Sequence, residues 1–343
     1  MSQFNSGVLP DHHLESAIEK GELWSETAIE TGQIQPASLD LRLGHEAIRV
    51  RASFLPGLSR SVTEMLTLPG TELHRITLTD RGAVLETGCV YLVPLLENVK
   101  LSRTLSGRTN PKSSTGRIDV FTRVVTDHSN AFDEIAVGYT GPLWLEISPR
   151  TFPILVRPGD RLAQLRLKQG EIPVLREQTV TIDLQKPEGS PVGWRAKRHG
   201  GLIDLHALGQ HKVASFWEPL YASDGQLVLD PEEFYILASQ ENIHIGAQEA
   251  AEMAAIAPEL GEFRAHYAGF FDPGFGANSS GSRAVLEVRS RDVPFILEHG
   301  QPVAKLIYEE MLVEPKQLYG ASGNNYQGQG LKLSKHFSVK DQD

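Results

Sequence analysis

The chain repeats itself, and no other feature limits its fold as much. Val90-Tyr91-Leu92-Val93-Pro94-Leu95-Leu96-Glu97-Asn98-Val99 resembles Glu233-Phe234-Tyr235-Ile236-Leu237-Ala238-Ser239-Gln240-Glu241-Asn242-Ile243, with Asn98 and Asn242 at an offset of 144. Leu145-Glu146-Ile147, Pro153, Gly159 and Ala163 recur at an offset of 141 as Leu286-Glu287-Val288, Pro294, Gly300 and Ala304. An earlier stretch, Leu39-Asp40-Leu41, has an echo in Ile203-Asp204-Leu205. Ordered matches at nearly constant spacing mean two copies of one structural unit. The turn formers Pro187-Glu188-Gly189-Ser190-Pro191 place the join, so units at 1–188 and 189–343 are expected.

Each copy has a β texture. Leu39-Asp40-Leu41-Arg42-Leu43-Gly44 alternates, and turn residues recur at short intervals thereafter. Two stretches read as helix. One is 10–24, with Asp11 as candidate N-cap, Leu14 and Ile18 on one face and Gly21 as the stop; the other is Ala247–Ala257. The expected fold is therefore mostly β, two tandem barrels or sandwiches behind a short N-terminal helix.

With 343 residues there is room for two domains. A net charge of −10 argues against a general nucleic-acid binder, which needs a basic footprint. It leaves open a small anionic substrate held by a few local arginines and backbone amides. The single cysteine, Cys89, excludes an intramolecular disulfide and a cysteine-rich zinc site, and the scattered histidines show no metal-ligand spacing. No apolar run approaches the roughly 20 residues of a membrane span and no leader-like segment opens the chain, so a cytoplasmic protein without a membrane partner is expected.

The copies differ where chemistry is carried. The first has Asn110-Pro111-Lys112-Ser113-Ser114-Thr115-Gly116-Arg117, and the second shows nothing like it between Gly246 and Arg264. Hydroxyls, freed amides and a guanidinium suit phosphate oxygens, although such a run is most often a plain loop. The second copy has the tight hairpin Ala268-Gly269-Phe270-Phe271-Asp272-Pro273-Gly274-Phe275, where the first has a longer polar loop, 126–134. Asp-Pro-Gly is ordinary turn chemistry. A functional hairpin would pair its backbone with a base edge, and Gly269 would allow the close approach. Twelve residues beyond the start of Phe275 stands Glu287, a carboxylate in an apolar strand pattern, costly unless it has work or a partner. Glu146 occupies the same place in the first copy. If each copy kept half of a site, the pair makes one composite site. The polar tail Asn324-Asn325-Tyr326-Gln327-Gly328-Gln329-Gly330-Leu331-Lys332 reads either as a loose terminus or as a lid over phosphates.

Together these pieces resemble the dCTP deaminase/dUTPase family of trimeric β-barrel nucleotide enzymes, over most of the chain. Ala37-Ser38-Leu39-Asp40-Leu41-Arg42-Leu43-Gly44 is similar to the deaminase opening, and Pro111–Arg117 to the family's Gly-Arg-Ser-Ser phosphate motif. Gly138-Tyr139-Thr140-Gly141 through Glu146, then Arg157–Leu165, follow its strand, turn and strand, and Tyr326-Gln327-Gly328-Gln329 its C-terminal lid. The resemblance implies tandem dUTPase-like (β-clip) barrels. It also implies a zinc-independent deamination of dCTP to dUTP and ammonia, with Mg²⁺ arriving on the triphosphate and Glu287, or second Glu146, activating the water. Phosphates would fall to Ser113, Ser114, Arg117, Tyr326, Gln329 and Lys332; base and sugar to Ala268, Gly269, Phe270 and Asp272. The strand glutamate marks the deaminase branch. The hairpin lacks the branch's His-Arg pair and looks more like dUTPases and dUMP-forming deaminases, and Asn325 replaces the lysine usual before the tail tyrosine, leaving Lys332 or Lys335 as substitutes. A bifunctional dUMP-forming enzyme and a silent nucleotide-binding regulator are the alternatives, with dUTP and dTTP as further nucleotides to bind. Either a trimer of tandem chains or a pseudo-symmetric tandem unit fits the two copies.

Overall fold

The computed structural model describes residues 6–256, 264–265, 269–277, 281–290, 292–321 and 326–341. The protein is built mostly of β-strands, and its two halves use them in the same order. In the first, Glu72–Thr77, Glu46–Val50, Val90–Lys100, Thr140–Pro149 and Val120–Thr126 lie side by side. In the second, Trp217–Leu220, Gly193–Ala196, Phe234–Ile243, Ser282–Arg289 and Arg264–Ala265 do the same. Register agrees with the sequence offsets: Glu146 lies opposite Leu92, and Glu287 opposite Ile236. A smaller pairing also repeats, Ile154 opposite Leu85 and Phe295 opposite Leu229. These matches follow from alternation, because a one-residue slip would turn every buried side chain outward.

The remaining sheet of each half is centred on Arg161–Gln169 and on Pro302–Glu310. Arg161–Gln169 runs between Leu39–Arg42 and Leu105–Pro111. Pro302–Glu310 runs between Val174–Thr181 and Glu249–Ala254. The chain thus passes from the first set of sheets to the second between Gln169 and Val174, ahead of the Pro187–Pro191 stretch. The counterpart of Leu39–Arg42 is Val174–Thr181, not the expected echo at 203–205. Ile203–Asp204 instead adds in parallel to Ile154–Val156 of the first half.

Two helix expectations are corrected. The stretch 247–257 holds a strand, Glu249–Ala254, because backbone pairing on both sides outweighs the helix propensity of its alanines. Its alternation buries Ala251 and Met253 in the second core and leaves Glu252 to bond Asn110 at 3.1 Å. The N-terminal helix is Asp11–Glu19, with Pro10 as its N-cap, and Leu23–Trp24 is already strand. Asp11 is occupied elsewhere: its carboxylate accepts the N–H groups of Lys316 and Gln317, each at 3.0 Å, tying the helix to the C-terminal region.

The halves share a core. The larger apolar cluster joins Leu41, Val93, Leu145 and Leu165 of the first half with Trp194, Phe234 and Val285 of the second and Leu333 and Phe337 of the tail. Phe337 meets Phe216 at 5.4 Å and Trp217 at 5.7 Å, edge to face. A second cluster, with Leu237, Leu286 and Val288, lies within the second half.

Candidate active site

Strand Ser282–Arg289 decides where the site forms. Ala284, Leu286 and Val288 point into the second half's own core, so Val285, Glu287 and Arg289 must face the other way, toward the first half, while Arg283 pairs with Asp183 and the Ser239 carbonyl of the second. There Glu287 meets Arg117, Oε1 to Nε 4.0 Å, both side chains almost fully buried. Two residues further along each segment, Arg289 pairs with Asp119, whose own exposure is zero. The two ion pairs set the strand's register against the loop that follows Ser113–Gly116, a single helical turn.

Glu287 lines a small cavity of about 60 Å³ with Arg117, Val285, Gly269, Phe270 and Tyr326. Burial lifts its carboxyl to about 8, against the pull of Arg117 in the other direction. Arg117 is held on every side: one terminal nitrogen donates to the Lys332 carbonyl at 2.9 Å, the other to Gln329 Oε1 at 3.0 Å, and its plane lies 4.0 Å from the Tyr326 ring centroid. Its Nε is buried with no hydrogen-bond acceptor and is the atom aimed at Glu287. Tyr326, Gln329 and Lys332 therefore surround the guanidinium, and Arg117 and Gln329 line the small cavity, not its larger neighbour.

That neighbour, about 480 Å³, is lined by Ser113, Ser114, Lys112, Arg161, Lys335 and Asp40 among others, and shares Phe270, Asp272, Tyr319 and Tyr326 with the small one. Lys112 is paired with Asp40 and Arg161 with Glu30. Lys332 lies outside this lining; its ammonium stands 5.8 Å from the Tyr326 ring, and burial with the nearby Arg117 lowers its pKa.

The hairpin is anchored from the first half. Arg166, fully buried, donates to Asp272 at 2.9 Å, to the Ala251 carbonyl at 3.1 Å and to the Phe271 carbonyl at 3.4 Å, and stacks 4.0 Å from the Phe270 ring. Ser38 donates to the second oxygen of Asp272 at 3.4 Å. Burial pushes Asp272 up from the ordinary carboxylate range, with Arg166 opposing. Gly274 (φ +92°) makes the turn, and a Cβ there would lie 2.7 Å from Leu318 Cβ. Ala268 lies outside the described residues.

From Tyr326 onward the tail is packed, not loose; Asn324 and Asn325 lie outside the described residues. Gln327 bonds the backbone of Gly274 and Gly276, each at 3.1 Å; Gly328 N–H donates to Ser282 at 2.8 Å; and Gln329 exchanges bonds with the Arg283 backbone at 3.0 Å.

Glu146 is placed otherwise. It is as buried as Glu287, yet both Nε and a terminal nitrogen of Arg123 bind its Oε1, at 3.1 and 2.6 Å, and it lines neither cavity. Trp144, on the same face of the strand, packs with Val62 and Leu66 from the segment linking Val50 to Glu72. That segment folds back over this face, and Ser53 takes the other hydrogen bond of Arg123 at 2.7 Å. The equivalent link in the second copy, 197–216, instead packs Leu205, Val213 and Phe216 into the shared core, leaving the face of Glu287 to the first half.

Sequence reading missed Arg166, Asp40, Arg161 and Tyr319. Asp40 and Arg161 lay inside quoted motifs, as did Lys112, without a site role assigned to them; Arg166 and Tyr319 reach the site through strand pairing and tail packing. Among the described residues, no three His, Cys, Asp or Glu side chains converge as ligands for a metal.

Comparison with known proteins agrees in its several parts. The family described as 2′-deoxycytidine 5′-triphosphate deaminase, N-terminal domain, matches residues 5–171, and that of the C-terminal domain residues 158–337. The chain is 29% identical over 173 residues to a Haloarcula marismortui protein named dCTP deaminase, covering 49% of this chain and 84% of that one. It is 25% identical over 186 residues to a Methanosphaera stadtmanae protein named dCTP deaminase, dUMP-forming, covering 53% of this chain and 84% of that one. The crystal structure of 2′-deoxycytidine 5′-triphosphate deaminase from Agrobacterium tumefaciens superimposes with a TM-score of 0.87 at 50% identity, over 91% of this chain and all of that one. With its first half matching the N-terminal family domain and its remainder the C-terminal one, the chain belongs to the 2′-deoxycytidine 5′-triphosphate deaminase family.

Proposed function

We propose that the protein is a dCTP deaminase, hydrolysing dCTP to dUTP and ammonia at one composite site per chain. The observation that carries this is Glu287, a buried carboxyl held beside Arg117 at the wall of a small cavity. As a carboxylate, Glu287 takes a proton from water; the water oxygen bonds to C4 of cytosine as the C4=N3 double bond opens, and N3 takes up that proton. The resulting tetrahedral carbon carries a hydroxyl and the amino group. Glu287 then takes the hydroxyl proton and delivers it to the amino nitrogen, the bond from C4 to that nitrogen breaks, and ammonia leaves a C4 carbonyl beside N3–H. Arg117, its terminal nitrogens bound to Lys332 and Gln329 and its plane stacked on Tyr326, turns its free Nε to Glu287, stabilises the carboxylate form and fixes its direction.

Gly269 and Phe270 of the hairpin face the base and Asp272 the sugar, while Ser113, Ser114 and Lys112 face the phosphates in the larger cavity. Mg²⁺ enters with the triphosphate as part of the substrate. Each half is a dUTPase-like barrel, the change-over falling between Gln169 and Val174, and the pair stands in for two neighbouring subunits. The protein works in the cytoplasm, and no helix among the described residues is long and apolar enough to cross a membrane. The dUMP-forming alternative needs a free group to bring water to the α-phosphorus, and Asp272 is engaged by Arg166 and Ser38.

Incubation with dCTP and Mg²⁺, resolved by chromatography, tests the reading. Equimolar dUTP and ammonia are expected. Intact dCTP would overturn it, and dUMP with pyrophosphate would favour the bifunctional reading.

A further inference from the structure

Arg117 and Glu287 are an open pair. Their facing atoms stand 4.0 Å apart, and Arg117 Nε is buried without a hydrogen-bond acceptor. Opposite charges taken out of water close to a charge-assisted hydrogen bond of about 2.8 Å when nothing holds them apart. Arg117 is fixed from behind by the Lys332 carbonyl, Gln329 and the Tyr326 ring. Whatever keeps Glu287 from moving up to it must therefore act on the glutamate's own strand.

The neighbouring pair does this. Ile118, between Arg117 and Asp119, is buried in the shared core, and Val288, between Glu287 and Arg289, in the second one. Each segment turns one apolar side chain inward and offers two charged ones to the other segment. Asp119 and Arg289 are closed where Arg117 and Glu287 are open. Arg289 Nε donates to Asp119 Oδ1 at 3.3 Å, and a terminal nitrogen donates to Oδ2. Thr151 completes a triangle: its hydroxyl donates to Oδ2 and accepts from Arg289 at 2.9 Å. The other terminal nitrogen of Arg289 donates to the Glu232 carbonyl, and the Asp119 carbonyl accepts from Arg150 N–H at 2.9 Å. Asp119 holds φ at +57°, a conformation that glycine would adopt at less cost. A carboxylate with no exposure is costly there unless its bonds are made, and here they are. Neither Asp119 nor Arg289 lines either cavity, so any effect on the chemistry passes through Arg117 and Glu287.

We propose that Asp119 and Arg289 are positioning residues: their closed ion pair holds the Glu287 strand off the Arg117 turn, so that the Glu287 carboxyl stays free to accept and release a proton. With the clamp cut, Glu287 closes on Arg117 Nε and is locked in its ionised form, a weaker base. The groups facing Glu287 across the small cavity are Arg117 and Lys112 from the serine motif, Asp272 from the hairpin, and Tyr319 and Tyr326 from the tail. Of these, Arg117 opposes the burial that lifts the carboxyl to about 8. The proposal deepens the deaminase reading, which gives the proton its use, but the geometry of the gap stands apart from it.

Two measurements on the full chain test this: titration of the Glu287 carboxyl by NMR of glutamate-labelled protein, assigned with Glu287→Gln, and kcat/KM for dCTP against pH. They are made on wild type, Asp119→Asn, Arg289→Gln and the double variant, which leaves neither charge of the clamp unpaired. In each variant the Glu287 midpoint should fall by at least about one pH unit, a tenfold loss of proton affinity. The acid limb of kcat/KM should move down with it, with plateau kcat lowered and KM within about threefold of wild type. Direct charge effects give another pattern: losing the Arg289 cation alone raises the midpoint, losing Asp119 alone lowers it, and the double variant stays near wild type. That pattern, or an unmoved midpoint in the double variant with only stability lost, overturns the proposal. Should a single variant fail to fold, the double variant decides. Should wild type leave dCTP intact, the deaminase reading fails while the NMR titration still decides the role of the pair.

Discussion

Arg117 and Glu287 come from different halves of the chain, 170 residues apart, and meet with Nε and Oε1 4.0 Å apart, both side chains nearly buried. Asp119 and Arg289 repeat the contact two residues along with the charges exchanged. A carboxyl near 8 beside a guanidinium is poised to change protonation during turnover, and its partners cannot move without breaking the core.

Removing the acid should separate binding from chemistry. Glu287→Gln is expected to lower kcat by at least about a thousandfold, while dCTP affinity stays within a few-fold of wild type. Glu146→Gln should keep its kcat within about threefold and lose stability, since Arg123 is left with a weaker partner. Kinetics on both variants decide the matter, and a reversed pattern would move catalysis to the first copy.

The pH profile follows from the raised carboxyl. In the free protein Glu287 is protonated below about 8 and ionised above it, and only the ionised form accepts a proton from water. The value of kcat/KM should therefore rise about tenfold per pH unit below that point and level off above it. A profile flat from pH 6 to 9 would exclude Glu287 as the base.

The same group sets a stability trend of opposite sign. Between its unfolded value of 4.5 and about 8, the unfolded chain releases the proton and the folded protein keeps it. Stability from this group is complete below 4.5 and is lost as pH rises through 8. Glu287→Gln should exceed wild type by a few kcal/mol at pH 8 in denaturant titrations, with the gap closing toward pH 5. A constant gap would contradict the linkage.

Arg166 carries the hairpin. Arg166→Met leaves Asp272 buried without its cation and frees two backbone carbonyls, a loss of about 3–5 kcal/mol. Adding Asp272→Asn should restore part of the stability, because the orphaned charge is gone. Denaturation midpoints of the two single variants and the double give the coupling directly, and strict additivity would show that the pair does not act as a unit.

One nucleotide per chain is expected. The face of Glu146 is covered by the chain's own 51–71 segment, so no second composite site can form there. Calorimetric titration should give one dCTP per polypeptide; two would mean that this segment opens.

Alternation and repetition made much of this legible in advance. The offsets of 141 and 144 reappear as cross-strand registers, and they gave the strand nature of Glu146 and Glu287 because a period of two leaves little freedom. The same repeat, followed strictly, contained the strand at Glu249–Ala254, whose counterpart is the Leu105–Pro111 strand; local alanine content obscured it. The motif Lys112–Arg117 was visible, but its division of labour was not: Arg117 turns toward the acid and the tail, while the serines face the larger cavity.

Sequence alone therefore determined a duplicated β protein and a short set of residues able to do the chemistry. It could not choose between Glu287 and Glu146, because both stand in the same pattern of apolar neighbours. Tertiary structure gives the two different surroundings, by what each linking segment covers: 51–71 shields one face with Val62 and Leu66, and 197–216 leaves the other to Arg117. Arg166 was hidden for the same reason. Its work depends on strands brought together across the fold, and the free energy of a buried charge is set by the partners that the fold supplies.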